Sequence, residues 1–151
     1  MNDVRKPVFT PAELEAFVAE IFPQIHTGGQ IYHIEALRPM GARIRLRYDA
    51  RLLRPGGTIM GPAMFQLADY GAYVAIMGMA GRDAADAVTS NLNITYLRRA
   101  AARDMIAEVS LFKIGRRLAI GEVQMFTEGE PEMVAHAVVT YAMPVAAGSP
   151  S

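Results

Sequence analysis

Residues 59–80 read IMGPAMFQLADYGAYVAIMGMA, a run that is apolar or small almost throughout and carries one charge, Asp69. Pro62 favours the first turn of a helix, where its missing N–H would have no intrahelical acceptor, and Gly81 supplies a C-terminal stop. We therefore predict a helix over residues 59–80. Because it is apolar on nearly every side, we expect protein to bury it. An ionised carboxylate there is costly unless it is paired, hydrated or used, so Asp69 requires an explanation.

Composition limits the classes of function. A length of 151 residues favours one domain, and 15 basic residues balance 15 acidic ones, so no net field favours nucleic acid or an acidic membrane. The absence of cysteine excludes disulfides, thiolate metal sites and a cysteine nucleophile. The N-terminus lacks the apolar run of a signal peptide, and the long helix contains a proline, a charge and glycines. We expect a cytoplasmic protein without a membrane span. A hydrophobic fraction of 52% also indicates a buried subunit interface.

The remaining elements surround this helix. Thr10 and Glu13 form a capping box that starts a short helix, which ends at Pro23. We predict strands over residues 31–37, 43–48, 87–97, 105–114, 118–127 and 133–143, and the short turns between the last three make them antiparallel neighbours. The expected class is α+β, with a curved antiparallel sheet wrapped around the long helix. Residues 1–29 hold the N-terminal helix and connector, residues 30–143 the main domain, and residues 144–151 a flexible tail.

Residues 43–48 read RIRLRY and alternate strictly between charged and apolar side chains. This period of two predicts a strand that is wet on its arginine face. The arginine row could bind anions, but we interpret it as a solvated sheet face.

Three segments, taken in order, resemble the hotdog-fold acyl-CoA thioesterases, in particular the PaaI-like branch of phenylacetate degradation. They are RPGGTIMGPAMFQLAD at residues 54–69, VTSNLNITYLRR at 88–99 and GRRLAIGEV at 115–123. The similarity covers about residues 30–143. It implies a single hotdog domain and a hydrolase that converts acyl-CoA thioesters to free acid and CoA. It implies no cofactor other than the coenzyme A of the substrate.

In that family the helix entry carries an asparagine, then His-Gly-Gly, then an Asp or Glu about two turns into the helix. Here Asp69 matches the carboxylate and Gly61 the first glycine, while Met60 replaces the histidine, Pro62 the second glycine, and Arg54 lies near the asparagine position. The resemblance implies that Asp69 is a general base or nucleophile and that the Gly61 N–H polarises the carbonyl. The two lie about 12 Å apart along one helix. The resemblance therefore also implies a homodimer, or a homotetramer as a dimer of dimers, in which each site combines both subunits.

Further substrate contacts follow from position and chemistry. Thr89 lies where relatives carry a Ser or Thr that faces the carboxylate, and strand alternation puts Asn91 on the same face. Basic side chains suit the phosphates of CoA. Each candidate could instead serve packing, sheet hydrogen bonding or a solvated surface. The complete set of predicted substrate contacts is Arg54, Met60, Phe65, Tyr73, Thr89, Asn91, Arg98 and Arg116.

Several alternatives remain open. Asp69 could be a structural carboxylate, satisfied by a tyrosine or by a Thr or Asn of a neighbouring strand. The departures from the family motif motivate a second possible function, that of a non-catalytic acyl-CoA-binding or regulatory protein with the same fold. A third is a hotdog hydratase or dehydratase, which needs a histidine beside the helix. The sequence offers none there, and His26, His33 and His136 show no metal-ligand spacing either.

Overall fold

The computed structural model describes residues 5–145 of the 151. It contains the helices α1 (Pro11–Ile21) and α2 (Gly61–Ala80). The strands are β1 (Tyr32–Arg38), β2 (Gly41–Leu46), β3 (Leu53–Arg54), β4 (Thr58–Ile59), β5 (Val88–Tyr96), β6 (Met105–Ile114), β7 (Leu118–Thr127) and β8 (Met133–Ala142). The predicted tail lies outside the described residues from 146 onward, and its role stays a prediction.

Six of these strands form one antiparallel sheet in the order β1-β2-β6-β7-β8-β5. The turns after β6 and β7 join neighbouring strands, as predicted. The segment between β2 and α2 differs from the expected loop, because β3 and β4 pair in a small separate hairpin. Gly56 and Gly57 form its turn with φ values of 100° and 79°, which glycine adopts without a Cβ clash. The α+β prediction is confirmed.

Helix α2 lies in the curve of the sheet and packs against β2, β6, β7 and β8. Small residues permit this approach: a Cβ added to Gly71 would lie 3.0 Å from Cγ2 of Val109. The helix begins at Gly61 and not at residue 59, because Ile59 pairs in β4 and Met60 is the N-cap. Most of α2 is buried, as predicted. One N-terminal face is not, and Phe65 on it is 40% exposed.

Helix α1 is anchored across the edge strand β1. The predicted capping box is present, with reciprocal hydrogen bonds of 2.9 and 3.1 Å between Thr10 and Glu13. Oε1 of Glu15 accepts the backbone N–H of Ile34 at 2.6 Å, which satisfies a donor of the sheet edge. A 3₁₀ turn, Pro23–His26, follows the helix. The end of α1 is thereby held beside the middle of α2.

The arginines of β2 form ion pairs on the outer face of the sheet. Arg43 contacts Glu35 and Glu108 at 2.9 and 2.7 Å, and Arg45 contacts Glu35 and Asp104 at 2.6 and 3.0 Å. These pairs bridge β1, β2 and β6 in a partly exposed network. The interpretation as a solvated sheet face is confirmed for Arg43 and Arg45.

Candidate active site

Asp69 lies at one end of the uncovered face of α2, near the middle of the helix, and is half-buried. The Thr89 hydroxyl donates to its Oδ1 at 2.6 Å, and the Tyr141 hydroxyl approaches the same oxygen at 2.6 Å. The Tyr141 hydroxyl is also 3.0 Å from the backbone carbonyl oxygen of Asp69. Among residues 5–145, no hydrogen-bond donor reaches Oδ2. One carboxylate oxygen is held and the other is left available.

The sheet register places both donors together. Thr89 of β5 pairs directly with Tyr141 of β8, so their side chains share the face toward α2. Tyr141 is buried, and its ring stacks on Tyr73 with centroids 6.1 Å apart. Burial and the adjacent Asp69 charge raise the pKa of Tyr141 far above its ordinary value, so the phenol stays protonated and donates. The sequence did not single out Tyr141, although a tyrosine partner was one of the open alternatives for Asp69.

Asp69 opens into a cleft of about 780 Å³, here called the Asp69 cleft. One side is α2, through Gln66, Tyr70 and the predicted Tyr73, and a second is the segment 85–89, which includes Thr89. The third side was not foreseen as part of a site: it consists of Ile21, Phe22 and Ile25 from the end of α1 and the following turn. The predicted residues Asp69, Tyr73 and Thr89 therefore meet in one cleft.

Gly61 lies at the other end of the exposed helix face. The Tyr96 hydroxyl donates to its carbonyl at 2.9 Å, and an added Cβ would lie 3.2 Å from that hydroxyl. Glycine also suits the residue before Pro62, because a Cβ there resists the helical conformation. The Gly61 N–H, at the start of the helix, has no hydrogen-bond partner within residues 5–145. Within that part of the chain it therefore remains a free donor.

Gly61 opens into a second depression of about 540 Å³, the Gly61 groove. The predicted residues Arg54 and Arg98 line it together with Arg99. Arg98 also pairs with Glu132 at 2.7 Å. Within one chain, the Asp69 cleft and the Gly61 groove are separate sites on the same helix.

The prediction that Asn91 lies on the same sheet face as Thr89 is wrong. Thr89 pairs with Tyr141 but Asn91 pairs with the adjacent Thr140, because Ser90 forms a bulge that inserts one residue. Asn91 consequently lies on the sheet face opposite to Thr89. A bulge shifts the alternation by one position, and no pattern in the sequence marked it.

The remaining predicted contacts lie apart from the Asp69 cleft. Met60 is the half-buried N-cap of α2 and packs against the core, and Phe65 is exposed but lines neither depression. Arg116 lies in the β6–β7 hairpin, where it borders a third depression with Lys113 and Arg117. Their substrate contacts stay predictions.

The histidines are not part of either depression. His136 lies 2.9 Å from Glu122 in the sheet, and none of the three lines the Asp69 cleft or the Gly61 groove. Within residues 5–145, no group of His, Asp and Glu is arranged to hold a metal ion. No helix of that part of the chain is long and apolar enough to cross a membrane.

Comparison with known proteins identifies a matching family and similar solved structures. The model of the thioesterase superfamily matches residues 56–134. A solved structure from a Silicibacter species, described as a candidate thioesterase, is 38% identical with a TM-score of 0.84, covering 95% of this chain and 97% of that one. Zebrafish thioesterase superfamily member 2 is 20% identical with a TM-score of 0.77, covering 90% and 99%.

The similar solved structures also include a protein of the PaaI-like branch, which the sequence resembles. A mutant of the phenylacetic acid degradation protein PaaI from Thermus thermophilus is 24% identical with a TM-score of 0.68, covering 81% of this chain and 99% of that one. At this identity the likeness shows a shared fold. No curated protein matches the chain in sequence.

Proposed function

The chain belongs to the thioesterase superfamily of thioester hydrolases, and we propose that it hydrolyses acyl-CoA thioesters to a free acid and CoA. The prediction of a hotdog-fold thioesterase is confirmed at the level of family and fold. The acyl-CoA substrate and the roles of individual residues are the proposal. It is carried chiefly by one observation: Asp69 lines a cleft, with one oxygen held by two hydroxyls and the other without a donor among residues 5–145.

Asp69 supplies the reacting carboxylate. As a general base, its Oδ2 takes a proton from water while the water oxygen attacks the thioester carbon. The C–S bond then breaks, and the CoA sulfur leaves with the proton that Asp69 received. As a nucleophile, Oδ2 would attack the carbon itself and expel the thiolate, and water would hydrolyse the resulting anhydride. Both routes use the oxygen that Thr89 and Tyr141 leave free.

Gly61 supplies the donor for the carbonyl oxygen. Negative charge develops on this oxygen as the thioester carbon is attacked, and a preorganised N–H stabilises it. The Gly61 N–H is without a partner in the described chain, and the positive end of the α2 dipole lies behind it. Pro62 has no N–H, so Gly61 is the donor that this turn offers.

A homodimer would complete the site. Strand β5 is the exposed edge of the sheet, and Thr89 and Tyr96 lie near its two ends, about 23 Å apart in an extended strand. A two-fold axis through the middle of β5 would set Thr89 and Asp69 of one subunit against Tyr96 and Gly61 of the other. Phe65 is exposed on the same side of α2, which supports a partner subunit that would bury it there. A homotetramer would pair two such dimers.

The same arrangement would gather basic residues for the CoA phosphates. The β6–β7 hairpin with Arg116 lies at the sheet end where β5 begins, since Leu118 and Val88 both pair with Ala142. Arg98 of the partner subunit would approach this end across the dimer axis. Three further points stay predictions from the sequence: that no separate cofactor is needed, that neither nucleic acid nor a membrane is a partner, and that the protein is cytoplasmic.

Thiol release from a panel of acyl-CoA thioesters tests the proposal, with Asp69→Asn as the variant. An amide oxygen can still accept from Thr89 and Tyr141, so the fold should be retained while the reacting oxygen is lost. We expect kcat to fall by about 10²- to 10⁴-fold. Equal turnover by both proteins would refute the role of Asp69. Tight acyl-CoA binding without thiol release would favour the non-catalytic alternative, which the departures at Met60, Pro62 and Arg54 motivate.

A further inference from the structure

We propose that the end of the N-terminal helix and the turn after it form the acyl-binding wall and select uncharged, apolar acyl groups. This wall consists of Ile21, Phe22 and Ile25 and lies outside the residues that match the superfamily model, 56–134. The proposal rests on the proposed function, because it assigns the substrate class of the same site. It makes the N-terminal segment a determinant of specificity.

The wall is built by a rigid segment. Leu14 and Val18 bury α1 in the core, and the Glu15 bond to β1 fixes its direction. At the end of the helix the Phe22 N–H still donates to the Val18 carbonyl at 2.7 Å, and Pro23 then starts the 3₁₀ turn. The backbone around this change of direction is therefore fixed by its hydrogen bonds.

Two apolar side chains at this point are partly exposed and border the cleft. Ile21 is 39% exposed and Phe22 37% exposed, and both border the cleft that contains Asp69. Ile25 closes the same wall and is buried. Isolated exposed apolar residues are common, but two adjacent ones that border a reactive carboxylate form a surface for an apolar ligand. An acyl group whose carbonyl carbon lies at Asp69 could extend to this wall.

The α2 side of the cleft presents two tyrosine rings beside Gln66. Tyr73 donates its hydroxyl to the Ala85 carbonyl at 2.7 Å, so its ring faces the cleft with the polar end satisfied. Tyr70 is buried against Tyr32, with ring centroids 5.0 Å apart. The volume of about 780 Å³ is in the range of small-molecule sites. It suits an acyl group of medium length or with a ring better than an acetyl group.

The charges of the cleft disfavour acidic acyl groups. Asp69 and Asp86 are the charged side chains among the described residues that line it, and both are acidic. The second carboxylate of a succinyl or glutaryl group that reaches this part of the cleft would meet like charge from Asp86, with no cation among the described lining residues of the same chain, which disfavours its binding. An aliphatic or aromatic acyl group has no such penalty.

Phe22→Ala tests the wall. We expect kcat/KM for octanoyl-CoA to fall by roughly tenfold while that for acetyl-CoA stays within about twofold, because only the longer chain reaches residue 22. Phe112→Ala is the matched control, since this phenylalanine is 59% exposed on β6 and lines neither depression. An unchanged octanoyl-to-acetyl ratio in Phe22→Ala, with the fold intact by circular dichroism, would overturn the proposal.

Asp86→Asn tests the charge selection. We expect the ratio of kcat/KM for succinyl-CoA to that for butyryl-CoA to rise by about tenfold, because one of two repelling carboxylates is neutralised. Asp83→Asn is the control, as this exposed aspartate lies on the same connector but does not line the cleft. A ratio that changes equally in both variants would contradict selection by Asp86.

Binding separates this inference from the proposed function. If the wild type released no thiol from any acyl-CoA, the proposed function would fail. The wall would still be tested by calorimetry with the non-hydrolysable thioether analogue of octanoyl-CoA. Weaker binding to Phe22→Ala than to Phe112→Ala by roughly tenfold would support the wall, and equal binding would overturn it.

Discussion

The Tyr141 hydroxyl lies 2.6 Å from Oδ1 of Asp69, the same oxygen that accepts from Thr89 at 2.6 Å. Two donors on one oxygen determine the orientation of the carboxylate and leave Oδ2 without a donor among residues 5–145. Because burial raises the pKa of Tyr141, this donor stays protonated across the pH range of an assay. Tyr141 therefore acts as a positioning residue for the proposed reaction.

Tyr141→Phe removes the donor and keeps the ring. We expect kcat to fall by about tenfold to a hundredfold with KM nearly unchanged, since a hydrogen bond to a charged group is lost while the cleft keeps its shape. Steady-state kinetics of thiol release measures both constants. In an Asp69→Asn background the same change should have little further effect. Tyr32→Phe, another buried tyrosine, is the control, and an equal loss there would point to a general packing defect.

Gly61→Pro removes the proposed carbonyl donor. The extended backbone of Met60, with ψ of 149°, accepts a following proline, and the strain of a Cβ before Pro62 is shared by the alanine control below. We expect kcat to fall by about 10²- to 10³-fold, the usual effect of losing one oxyanion donor. Gly61→Ala is the matched control, because it also adds a Cβ near Tyr96 but keeps the N–H. If alanine lowered kcat as much as proline does, crowding of Tyr96 would be the cause.

Mixing two inactive variants tests the shared site. A dimer of one Asp69→Asn subunit and one Gly61→Pro subunit would contain one doubly defective site and one intact site. After denaturation and joint refolding we expect about a quarter of wild-type activity, since about half of the dimers would be mixed in a two-fold assembly. Analytical ultracentrifugation measures the oligomer in the same samples. Activity no higher than that of the separate variants would show that each site belongs to one chain.

The ion-pair network of the sheet predicts loss of stability in acid. Burial raises the pKa of the Glu35 carboxyl, but hydrogen bonds from Arg45 and Arg43 outweigh it and lower the pKa overall. A carboxyl group whose pKa is lower in the folded than in the unfolded protein makes its full contribution to stability when the pH is above its unfolded-state pKa. This contribution is lost as the pH falls through the folded-state pKa. We expect the thermal unfolding temperature, Tm, to decrease as the pH is lowered below about 5. Glu35→Gln should weaken this dependence, and an unchanged slope would assign it to other groups.

Local patterns predicted much of the fold. The capping box of Thr10 and Glu13, the apolar run of α2 and the hairpins of the last three strands all depend on neighbours within a few residues, and the structure contains them. The unusual charge in α2 also identified Asp69 as the residue to explain. The hairpin of β3 and β4 was not predicted, because two-residue strands leave no periodicity.

The surroundings of Asp69 required more than pattern. Tyr141 is 72 residues away in the chain, and it meets Asp69 only because β8 pairs with β5 in one register. The bulge at Ser90 reverses the alternation that would have placed Asn91 beside Thr89. A one-residue shift of a strand exchanges its two faces, and the composition of β5 does not reveal it.

The sequence by itself determined the main strands, the long buried helix and the one carboxylate that such a helix does not readily hold. These follow from short-range periodicity and from the free-energy cost of burying charge. The tertiary structure alone decided which oxygen of Asp69 is free, which wall faces it, and that Gly61 opens into a different depression. Those relations depend on strand register and on packing between distant segments, which local residue patterns do not encode.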